Sequence, residues 1–413
     1  MSLLDKLAQP ECWESFYQYK LSLICPKEFA KELRTFIDGK AYLPVLKRLE
    51  DKEPFPLARR SVISKQSSRK KRVVYTYPKA ENTVLKLLTW LLLREYDGVF
   101  ADNLYSFRPQ RNVKSAVRSL FHLDNIDRCY SYKVDISNYF NSIDIDLVLP
   151  QLQDVLGNDE KLYNFLAGLL KEERVLDGKQ IIREQKGIMA GTPIACFYAN
   201  LFLRNLDEYF AQRKVLYGRY SDDIIVFAES RQQIDEYVSI IREYLSEYQL
   251  QINQEKEEYH DPEEGFTFLG FRYHQGVIDI APASVVKLKH KMRRKTRSLK
   301  RWSDRNEVEK PKAARAFIRI FNRKLLKSST DNDLTWSYWY FSTINTTESL
   351  HEIDRYAQQC LRYLITSSHR KSAYKVRYEQ LKELGYQSLV HAYYGFAGRK
   401  AMEKKQSQMA IEE

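Results

Sequence analysis

RYSDDIIVF, at Arg219–Phe227, is the stretch of sequence that decides the fold. Its apolar second half predicts a buried strand, and the apolar residues just before it predict an incoming strand, so that Asp222 and Asp223 lie at the turn of a hairpin. Two adjacent carboxylates repel each other unless a cation neutralises them. Mg²⁺ suits this pair because it prefers oxygen ligands and keeps coordination positions for phosphates. Asp-Asp pairs also occur in ordinary solvated turns, so the rest of the chain decides between the two interpretations.

A third carboxylate, Asp135, follows the predicted strand Tyr132–Val134. Taken alone, it is an ordinary aspartate at the end of a strand. Together with the pair, it would place three carboxylates from two strand ends around two metal ions about 3.5–4 Å apart, as in-line phosphoryl transfer requires. One ion would lower the pKa of an attacking hydroxyl, and the other would stabilise a leaving pyrophosphate.

The composition favours a polyanionic partner. The 413 residues include 67 Lys and Arg against 54 Asp and Glu, a net charge of +13, which suits nucleic acid or an anionic membrane surface. No apolar run is long enough to predict a membrane span, and the N-terminus has no signal-peptide pattern. The five cysteines are scattered without a C-x-x-C pair, so neither a zinc site nor a disulfide framework is predicted. We expect a cytoplasmic protein without a membrane partner.

The order of predicted elements indicates an α+β body followed by a basic helical module. The module begins with Val286–Trp302, a predicted helix that is dense in Lys and Arg and has no acidic residue. Such a helix either contacts nucleic-acid phosphates or presents a solvated face, and the lack of matching acids favours phosphate contact. Residues 401–413 are polar and predict a flexible tail.

At this point the chain resembles the reverse transcriptase family, strongly over residues 60–280 and more weakly beyond. Six segments carry the resemblance, in the family's order and spacing: Asn103–Arg111, Lys133–Ile143, Gly187–Leu201, Tyr220–Asp223, Leu250–Lys256 and Phe268–Phe271. Each segment alone is modest evidence, whereas the six together are specific to the family.

The resemblance implies a right-hand polymerase fold with fingers, an antiparallel-sheet palm and an all-helical thumb. The implied divisions are an N-terminal helical extension at 1–60, fingers and connected palm helices at 61–131 and 147–212, the catalytic palm at 132–146 and 213–280, the basic thumb at 281–400 and the tail at 401–413.

The resemblance also implies the catalytic and metal-binding residues. Asp135 and Asp222 would be the principal metal ligands, with Asp223 supporting them and the backbone carbonyl of Ile136 as a further contact. The cofactor would be two Mg²⁺ ions, with Mn²⁺ as an alternative. Lys256 would protonate the departing pyrophosphate; the alternative is a solvated lysine in a charged loop.

The nucleotide-binding residues are implied in the same way. Phe140, five residues after Asp135, stands where the family places the aromatic ring that excludes a ribose 2′-OH; the alternative is an ordinary core residue. Lys71 and Arg72 would bind the triphosphate, since ammonium and guanidinium groups suit phosphate oxygens. Because the spacing is loose, Lys65 and Lys70 compete for that role.

One segment departs from the family pattern. The loop GIMAGTP starts at Gly187 and contains Gly191, an implied nucleotide contact, but Ala190 stands where the family commonly has Gln. The nucleotide pocket is therefore expected to be less polar at this point, with altered fidelity or nucleotide preference rather than loss of activity.

The contacts to template and primer are implied on several segments. Phe268, Leu269 and Gly270 resemble the primer grip. The nucleic-acid-binding residues would be Arg108, Lys291, Arg293, Arg294 and Arg297.

The resulting expectation is an RNA-directed DNA polymerase that consumes dNTPs, copies an RNA template and yields a DNA product. A resemblance to the type 2 defence-associated reverse transcriptases implies a dedicated structured non-coding RNA as template and a role against phage. Alternatives are a diversity-generating, intron-like or retron-like reverse transcriptase, an RNA-copying RNA polymerase, and a catalytically silent RNA-binding scaffold. The sequence leaves the priming mode and the oligomeric state open.

Overall fold

The computed structural model describes residues 2–23, 25–64, 71–123, 125–184, 187–326 and 336–398. The chain divides into two compact units, Met1–Glu264 and Gly265–Glu413. Helices and sheets occur in both units, which confirms the predicted α+β class. In the described part of the chain, no helix combines the length and the apolar character needed to cross a membrane.

The first unit contains eleven labelled helices and eight strands in its described residues. The helices are α1 (Pro10–Ser22), α2 (Lys27–Asp38), α3 (Leu43–Glu50), α4 (Lys79–Glu95), α5 (Val113–Phe121), α6 (Tyr139–Ser142), α7 (Ile145–Leu156), α8 (Glu160–Lys171), α9 (Ala195–Phe202), α10 (Arg204–Gln212) and α11 (Arg231–Glu247). The strands are β1 (Ala58–Ser64), β2 (Lys71–Thr76), β3 (Tyr130–Asp135), β4 (Arg174–Asp177), β5 (Gln180–Arg183), β6 (Tyr217–Tyr220), β7 (Asp223–Ala228) and β8 (Glu258–His260).

A four-stranded sheet with the order β6-β7-β3-β8, here called the central sheet, lies at the core of the first unit. All of its neighbouring strands are antiparallel. Ile224, Ile225 and Val226 of β7 are all fully buried, as expected for a strand covered on both faces. Helix α11 packs against β7 and β3, with Ile234, Val238 and further apolar residues at helical spacing on its buried face. The strand predicted from the apolar run in the opening stretch is therefore confirmed.

A second sheet, with the order β2-β1-β4-β5, begins with the antiparallel pair of β1 and β2. Strands β1 and β4 are parallel, and the other pairs are antiparallel. A small cluster of Ala58, Tyr75 and Val175 forms its buried side. Strand β2 lies at the edge, where the N–H of Tyr75 donates to the carbonyl of Ala190 at 2.8 Å, so an edge strand is covered by a loop.

The second unit begins with a three-stranded antiparallel sheet and continues as helices. Its elements are β9 (Phe266–Phe268), β10 (Phe271–His274), β11 (Val277–Ile280), α12 (Pro282–Arg305), α13 (Lys310–Leu325), α14 (Trp336–Phe341), α15 (Glu348–Thr366) and α16 (Tyr378–Glu383), followed by a helical stretch at 389–398. Helices α12, α13 and α15 pack against one another. Buried Asp354 of α15 accepts the backbone N–H of Leu389 at 3.0 Å and so caps the last stretch.

Candidate active site

Three carboxylates lie together at one end of the central sheet. Asp135, the last residue of β3, pairs with Asp223, the first residue of β7. Because opposed residues of antiparallel strands project to the same face, these two side chains share a face of the sheet. Asp222 lies in the turn directly before Asp223, and its carbonyl accepts the N–H of Ile136 at 3.1 Å. The structure thus brings together the three aspartates and Ile136 that the sequence predicted as a group.

Two side chains from the segment after α11 bind the carboxylate of Asp135. The Nζ of Lys256 donates to Oδ2 at 2.5 Å, and the Nδ2 of Asn253 donates to Oδ1 at 3.1 Å. The Asn253 N–H also donates to the Asp135 carbonyl at 2.8 Å. The side chain of Lys256 is 54% exposed, whereas that of Asp135 is 7% exposed. Lys256 therefore reaches a buried carboxylate from the solvent side.

The site carries more negative charge than its lysine neutralises. Burial, and then the charges of Asp222 and Asp135, raise the pKa of Asp223 to about 7. Burial also raises the pKa of Asp222, and the charge of Asp135 adds to this effect. Burial opposes the charge of Lys256, but its hydrogen bond to Asp135 and the charges of the three carboxylates together outweigh burial and raise the pKa of the lysine. Lys256 accordingly stays protonated while the carboxylates repel one another.

The carboxylate oxygens of the three aspartates are suitable ligands for a hard divalent cation. Carboxylate oxygens are the ligands that Mg²⁺ prefers, and the repulsion that raises the pKa of Asp223 is the kind that a bound cation relieves. Among the residues with described positions, no three metal-binding side chains are already arranged as a cage. Lys256 and Asn253 instead contact the two oxygens of Asp135.

The turn that carries Asp222 is strained. Ser221 is the first of its two turn residues and has a φ of 61°, a region that non-glycine residues enter at a cost of about 1–3 kcal/mol. Such a conformation persists where the surroundings determine it. Ser221 is buried, with 7% of its surface exposed, so its polar backbone groups require partners inside the protein.

A buried ion pair lies directly beneath this turn. The guanidinium of Arg219 on β6 binds both carboxylate oxygens of Asp207 on α10, at 2.8 and 2.5 Å. The hydroxyl of Tyr217 donates to the same carboxylate at 3.0 Å. Burial opposes the charge on Arg219, but Asp207 outweighs it and raises the pKa of the guanidinium. The pair is bidentate and fully desolvated, with side chains 0% and 1% exposed.

The predicted sugar-discriminating residue, Phe140, lies in the short helix that follows β3. Its ring is partly buried against the core and meets the ring of Tyr139 edge to face. Its carbonyl accepts the N–H of Ile188 at 2.9 Å. A Cβ added to Gly187 would lie 2.6 Å from that carbonyl oxygen and closer still to Asn141, so only glycine allows the loop to approach Phe140 here.

The same loop reaches strand β2 at its other end. Ala190 is buried, and Gly191 has a φ of 102°. A Cβ added to Gly191 would lie 3.1 Å from the carbonyl oxygen of Tyr75. Residues 187–191 therefore connect the backbone of Phe140 with the C-terminal half of β2.

Lys71 and Arg72, the predicted triphosphate ligands, are exposed at the start of β2. Three to four residues along the strand, Tyr75 contacts the loop that holds Gly191. The competing candidates Lys65 and Lys70 lie outside the described residues. The structure thus places the predicted nucleotide contacts of this unit on connected segments, while their roles stay predictions.

Arg108 requires a correction. Its side chain is 3% exposed and forms an ion pair with Asp97 at 2.7 Å. Its remaining N–H groups donate to the carbonyls of Asp97, Ala101 and Leu104. A guanidinium that is buried and already bonded in this way stabilises its own loop and does not present a free charge to nucleic acid.

The predicted primer grip lies in the second unit, in the turn between β9 and β10. Phe268 is buried and pairs with Phe271 across the hairpin. Leu269 and Gly270 form the turn with φ values of 51° and 87°. Gly270 also accepts the N–H of Ala281 at 2.9 Å.

The predicted duplex-binding residues lie on α12. Lys291, Arg293, Arg294 and Arg297 are all exposed. The buried face of the same helix consists of Val285, Met292, Thr296, Leu299 and Ser303. The basic residues therefore occupy the solvent side of an amphipathic helix, as either of the two sequence interpretations requires.

Several residues of the site were not predicted. They are Ser106, Asn200, Asp207, Arg219 and Asn253. These residues contact Asp135, the ion pair, or the turn of Ser221 and Asp222, which is called the catalytic turn after its predicted role. Two of them carried a signal in the sequence. Arg219 lies within an apolar strand pattern, and Asp207 lies between Leu206 and Phe210 on the buried side of α10; a charged residue at such a position needs a partner of opposite charge.

Comparison with protein families gives one match that spans half of the chain. The family described as "Reverse transcriptase (RNA-dependent DNA polymerase)" matches residues 63–273. This range contains Asp135, Asp222, Asp223 and Lys256. The match confirms the right-hand polymerase fold that the sequence predicted.

Curated relatives match over part of their own length. The group II intron-encoded protein LtrA of Lactococcus lactis subsp. cremoris is 25% identical over 186 residues, which are 44% of this chain and 30% of LtrA. An uncharacterized 91 kDa protein in the cob intron of Schizosaccharomyces pombe is 28% identical over 170 residues, which are 39% of this chain and 19% of that protein. The chain thus spans less than a third of the length of these relatives.

Solved structures with similarity to the chain include two telomerases. Apo telomerase from Candida tropicalis gives a TM-score of 0.45 at 11% identity and covers 80% of this chain and 69% of its own. Telomerase from Candida albicans, in complex with a fragment of telomeric RNA, gives a TM-score of 0.43 at 11% identity and covers 90% and 70%.

Proposed function

This chain belongs to the reverse transcriptase family, and on that premise we propose that it is an RNA-directed DNA polymerase with a two-metal-ion mechanism. One observation carries the proposal: Asp135 and Asp223 pair across two strands beside the turn residue Asp222, within the range that matches the family. A silent scaffold would not need a carboxylate cluster in which burial raises the pKa values of Asp222 and Asp223 and the charge of Asp135 raises them further.

Asp135 and Asp222 would be the principal metal ligands, supported by Asp223 and by the carbonyl of Ile136. Mg²⁺ or Mn²⁺ held by these residues would lower the pKa of an attacking primer hydroxyl and would stabilise negative charge on the leaving pyrophosphate. Asn253 binds one oxygen of Asp135 and so orients the carboxylate, as partners of metal ligands commonly do.

Lys256 would supply the proton that the pyrophosphate takes up. Its contact with Asp135 raises its pKa and therefore keeps a proton on Nζ. Its side chain is half exposed, so the ammonium group is free to leave Asp135 and turn toward a leaving group.

Phe140 would select deoxynucleotides by occupying the space that a ribose 2′-OH needs. The contact of its backbone with Ile188 fixes the start of its helix. Lys71 would bind the triphosphate through its compact ammonium charge, and Arg72 would bind it through the paired N–H donors of its guanidinium. Buried Ala190 offers no polar group to the nucleotide, in contrast to the Gln that is common in the family.

Primer extension with purified protein tests the activity. We expect incorporation of dNTPs on an RNA template in Mg²⁺, and a loss of at least about a thousandfold in Asp222→Ala/Asp223→Ala. Phe140→Ala should raise the use of rNTPs relative to dNTPs, while Phe165→Ala, a partly buried ring elsewhere in the first unit, should leave that ratio unchanged. Preference of the wild type for rNTPs would point to an RNA-copying RNA polymerase instead.

We further propose that the template is a dedicated structured non-coding RNA and that the cytoplasmic DNA product acts in defence against phage. The net charge of +13 and the exposed basic face of α12 support an RNA partner. A second candidate, an intron-type enzyme, is favoured by the sequence similarity to the group II intron-encoded LtrA.

Sequencing the nucleic acids that co-purify with the protein separates these two candidates. One abundant RNA of defined ends, with complementary DNA that depends on Asp222 and Asp223, supports the dedicated template. Recovery of spliced intron RNA supports the intron-type enzyme. For the defence role, cells that carry the Asp222→Ala/Asp223→Ala variant should lose protection in a phage plaque assay.

A further inference from the structure

A closed ring of hydrogen bonds surrounds the strained residue of the catalytic turn. The Oγ of Ser106 accepts the N–H of Ser221 at 2.9 Å and donates to the Oδ1 of Asn200 at 3.0 Å. From the other side, Arg219 donates to the carbonyl of Ser221 at 3.2 Å and to the carbonyl of Asn200 at 3.1 Å. Both backbone groups of Ser221 are thereby bound, and both routes end at Asn200.

The ring lies entirely inside the protein. Ser106, Asn200 and Arg219 are all 0% exposed, so water does not compete for these hydrogen bonds, and each strengthens the others. The position of Ser106 is itself determined, because the Nδ2 of Asn200 donates to the Ser106 carbonyl at 2.8 Å. The neighbouring Tyr105 N–H donates to the carbonyl of Arg219 at 3.0 Å.

The ring explains how a serine with a φ of 61° remains in place next to two functional carboxylates. Hydrogen bonds to both its N–H and its C=O leave the peptide planes of the turn little freedom. Asp222 follows directly, and the direction of its carboxylate depends on those planes. Of the ring's members, Ser106 contributes through one hydroxyl, which a substitution removes without removing a charge.

We propose that Ser106 is a positioning residue, whose hydroxyl fixes the catalytic turn so that Asp222 and Asp223 face Asp135 in the arrangement that binds the metal ions. This proposal rests on the proposed polymerase function for its kinetic part. Its structural part concerns metal binding by the chain and does not require substrate.

The test compares Ser106→Ala with Ser131→Ala. Ser131 is a matched control because it is also buried, lies on β3 of the central sheet, and its hydroxyl has no hydrogen-bond partner among the described residues. Two quantities are measured: kcat and KM for dNTPs in primer extension, and the Mg²⁺ concentration that gives half of the thermal stabilisation without substrate. Ser106→Cys is included because a thiol fills the space but is a weak donor and acceptor.

We expect Ser106→Ala to lower kcat and to raise the Mg²⁺ midpoint by about tenfold each, as substitutions behind metal ligands do, with KM for dNTPs within about twofold of the wild type. Ser106→Cys should change both in the same direction by less, and Ser131→Ala should match the wild type. If both alanine variants have the wild-type kcat and Mg²⁺ midpoint, the proposal is overturned.

Two further outcomes are decisive. If Ser106→Ala does not fold, Ser106→Cys decides, and a wild-type Mg²⁺ midpoint in that variant overturns the proposal. If the wild type incorporates no nucleotide on any template, the proposed function fails; a raised Mg²⁺ midpoint in Ser106→Ala still supports the positioning role, and an unchanged one overturns it.

Discussion

The hairpin turns at Ser221 and Leu269 each place a non-glycine residue in the left-handed region, and they are stabilised in different ways. Ser221 has a φ of 61° between β6 and β7, and Leu269 has a φ of 51° between β9 and β10. Both turns contain two residues between paired strands. The first carries the candidate metal ligands, and the second belongs to the predicted primer grip.

The turn at Ser221 depends on residues that are distant in sequence. The Oγ of Ser106 and the guanidinium of Arg219 bind its backbone, and the distant Asn200 binds both of those side chains. The turn at Leu269 depends on its neighbour Gly270, whose φ of 87° gives the two positive φ values that a tight hairpin favours. A local turn of this kind is encoded by one glycine, whereas the catalytic turn requires the assembled core. The candidate metal ligands therefore lie on the turn whose backbone conformation depends on folding of the whole unit.

Breaking the ion pair below the catalytic turn should have the largest effect on stability. Arg219→Met leaves the buried carboxylate of Asp207 without its charged partner, so we expect the free energy of unfolding to fall by about 3–5 kcal/mol. Urea denaturation followed by fluorescence measures this change. The matched control is Arg242→Met, because the Arg242 side chain is 51% exposed in its pair with Glu257, and such pairs contribute about 0–1 kcal/mol.

A second substitution separates the loss of charge balance from the loss of packing. In Asp207→Leu/Arg219→Met, an apolar pair replaces the ion pair, and stability should return to within about 2 kcal/mol of the wild type. Equal destabilisation by Arg219→Met and Arg242→Met would show that the catalytic turn does not depend on this buried pair.

Ionisation of Asp223 in the catalytic turn should make the free energy of unfolding depend on pH. Its folded-state pKa of about 7 lies above the ordinary value near 4, so the folded state binds its proton more tightly than the unfolded state does. The metal-free protein therefore loses stability as pH rises from about 4 to about 7. At pH 8 in EDTA, Asp223→Asn should exceed the wild type by about 2 kcal/mol, with solvent screening of a partly exposed carboxylate taken into account.

The control for this prediction is the same pair of proteins at pH 4 and at pH 8 with Mg²⁺. At pH 4 the carboxyl is protonated in the folded state and about half protonated in the unfolded state, so the advantage of Asp223→Asn should nearly vanish. Mg²⁺ at pH 8 should stabilise the wild type more than the variant. An advantage that is independent of both pH and Mg²⁺ would mean that packing, not charge, causes it.

Sequence patterns predicted those parts of the site that depend on neighbouring residues and on the spacing of motifs. The apolar run after Asp223 predicted strand β7, and the family's motif spacing selected Asp135 and Lys256. The ring around Ser221 was not predictable in this way, because it joins residues about a hundred positions apart through core packing. A serine such as Ser106 has no local feature that marks its hydroxyl as a partner of the turn.

Arg108 illustrates the opposite error. An arginine in a motif of a nucleic-acid-binding family suggests phosphate contact, and its partner Asp97, eleven residues earlier, is one of many acids nearby in sequence. Burial of the Arg108 side chain decides between phosphate contact and the ion pair with Asp97. This burial arises because the loop at 97–108 folds back on itself. By contrast, exposure of the basic residues on α12 followed from the helical spacing of its apolar residues.

The smallest effect is expected at the locally encoded turn. Gly270→Ala places a Cβ at a φ of 87°, which should lower the free energy of unfolding by about 1–2 kcal/mol. The nearest described atoms, on Tyr340 and Ser284, are 3.5 and 3.6 Å from that Cβ, so backbone strain and not collision is the cause. Gly168→Ala is the control, because Gly168 lies inside α8 with no described atom within 4 Å of an added Cβ, and alanine there should stabilise by about 0.5–1 kcal/mol. Opposite signs in urea denaturation would support local encoding of the turn, whereas a Gly270→Ala protein as stable as the wild type would mean that the second turn, like the first, is determined by its surroundings.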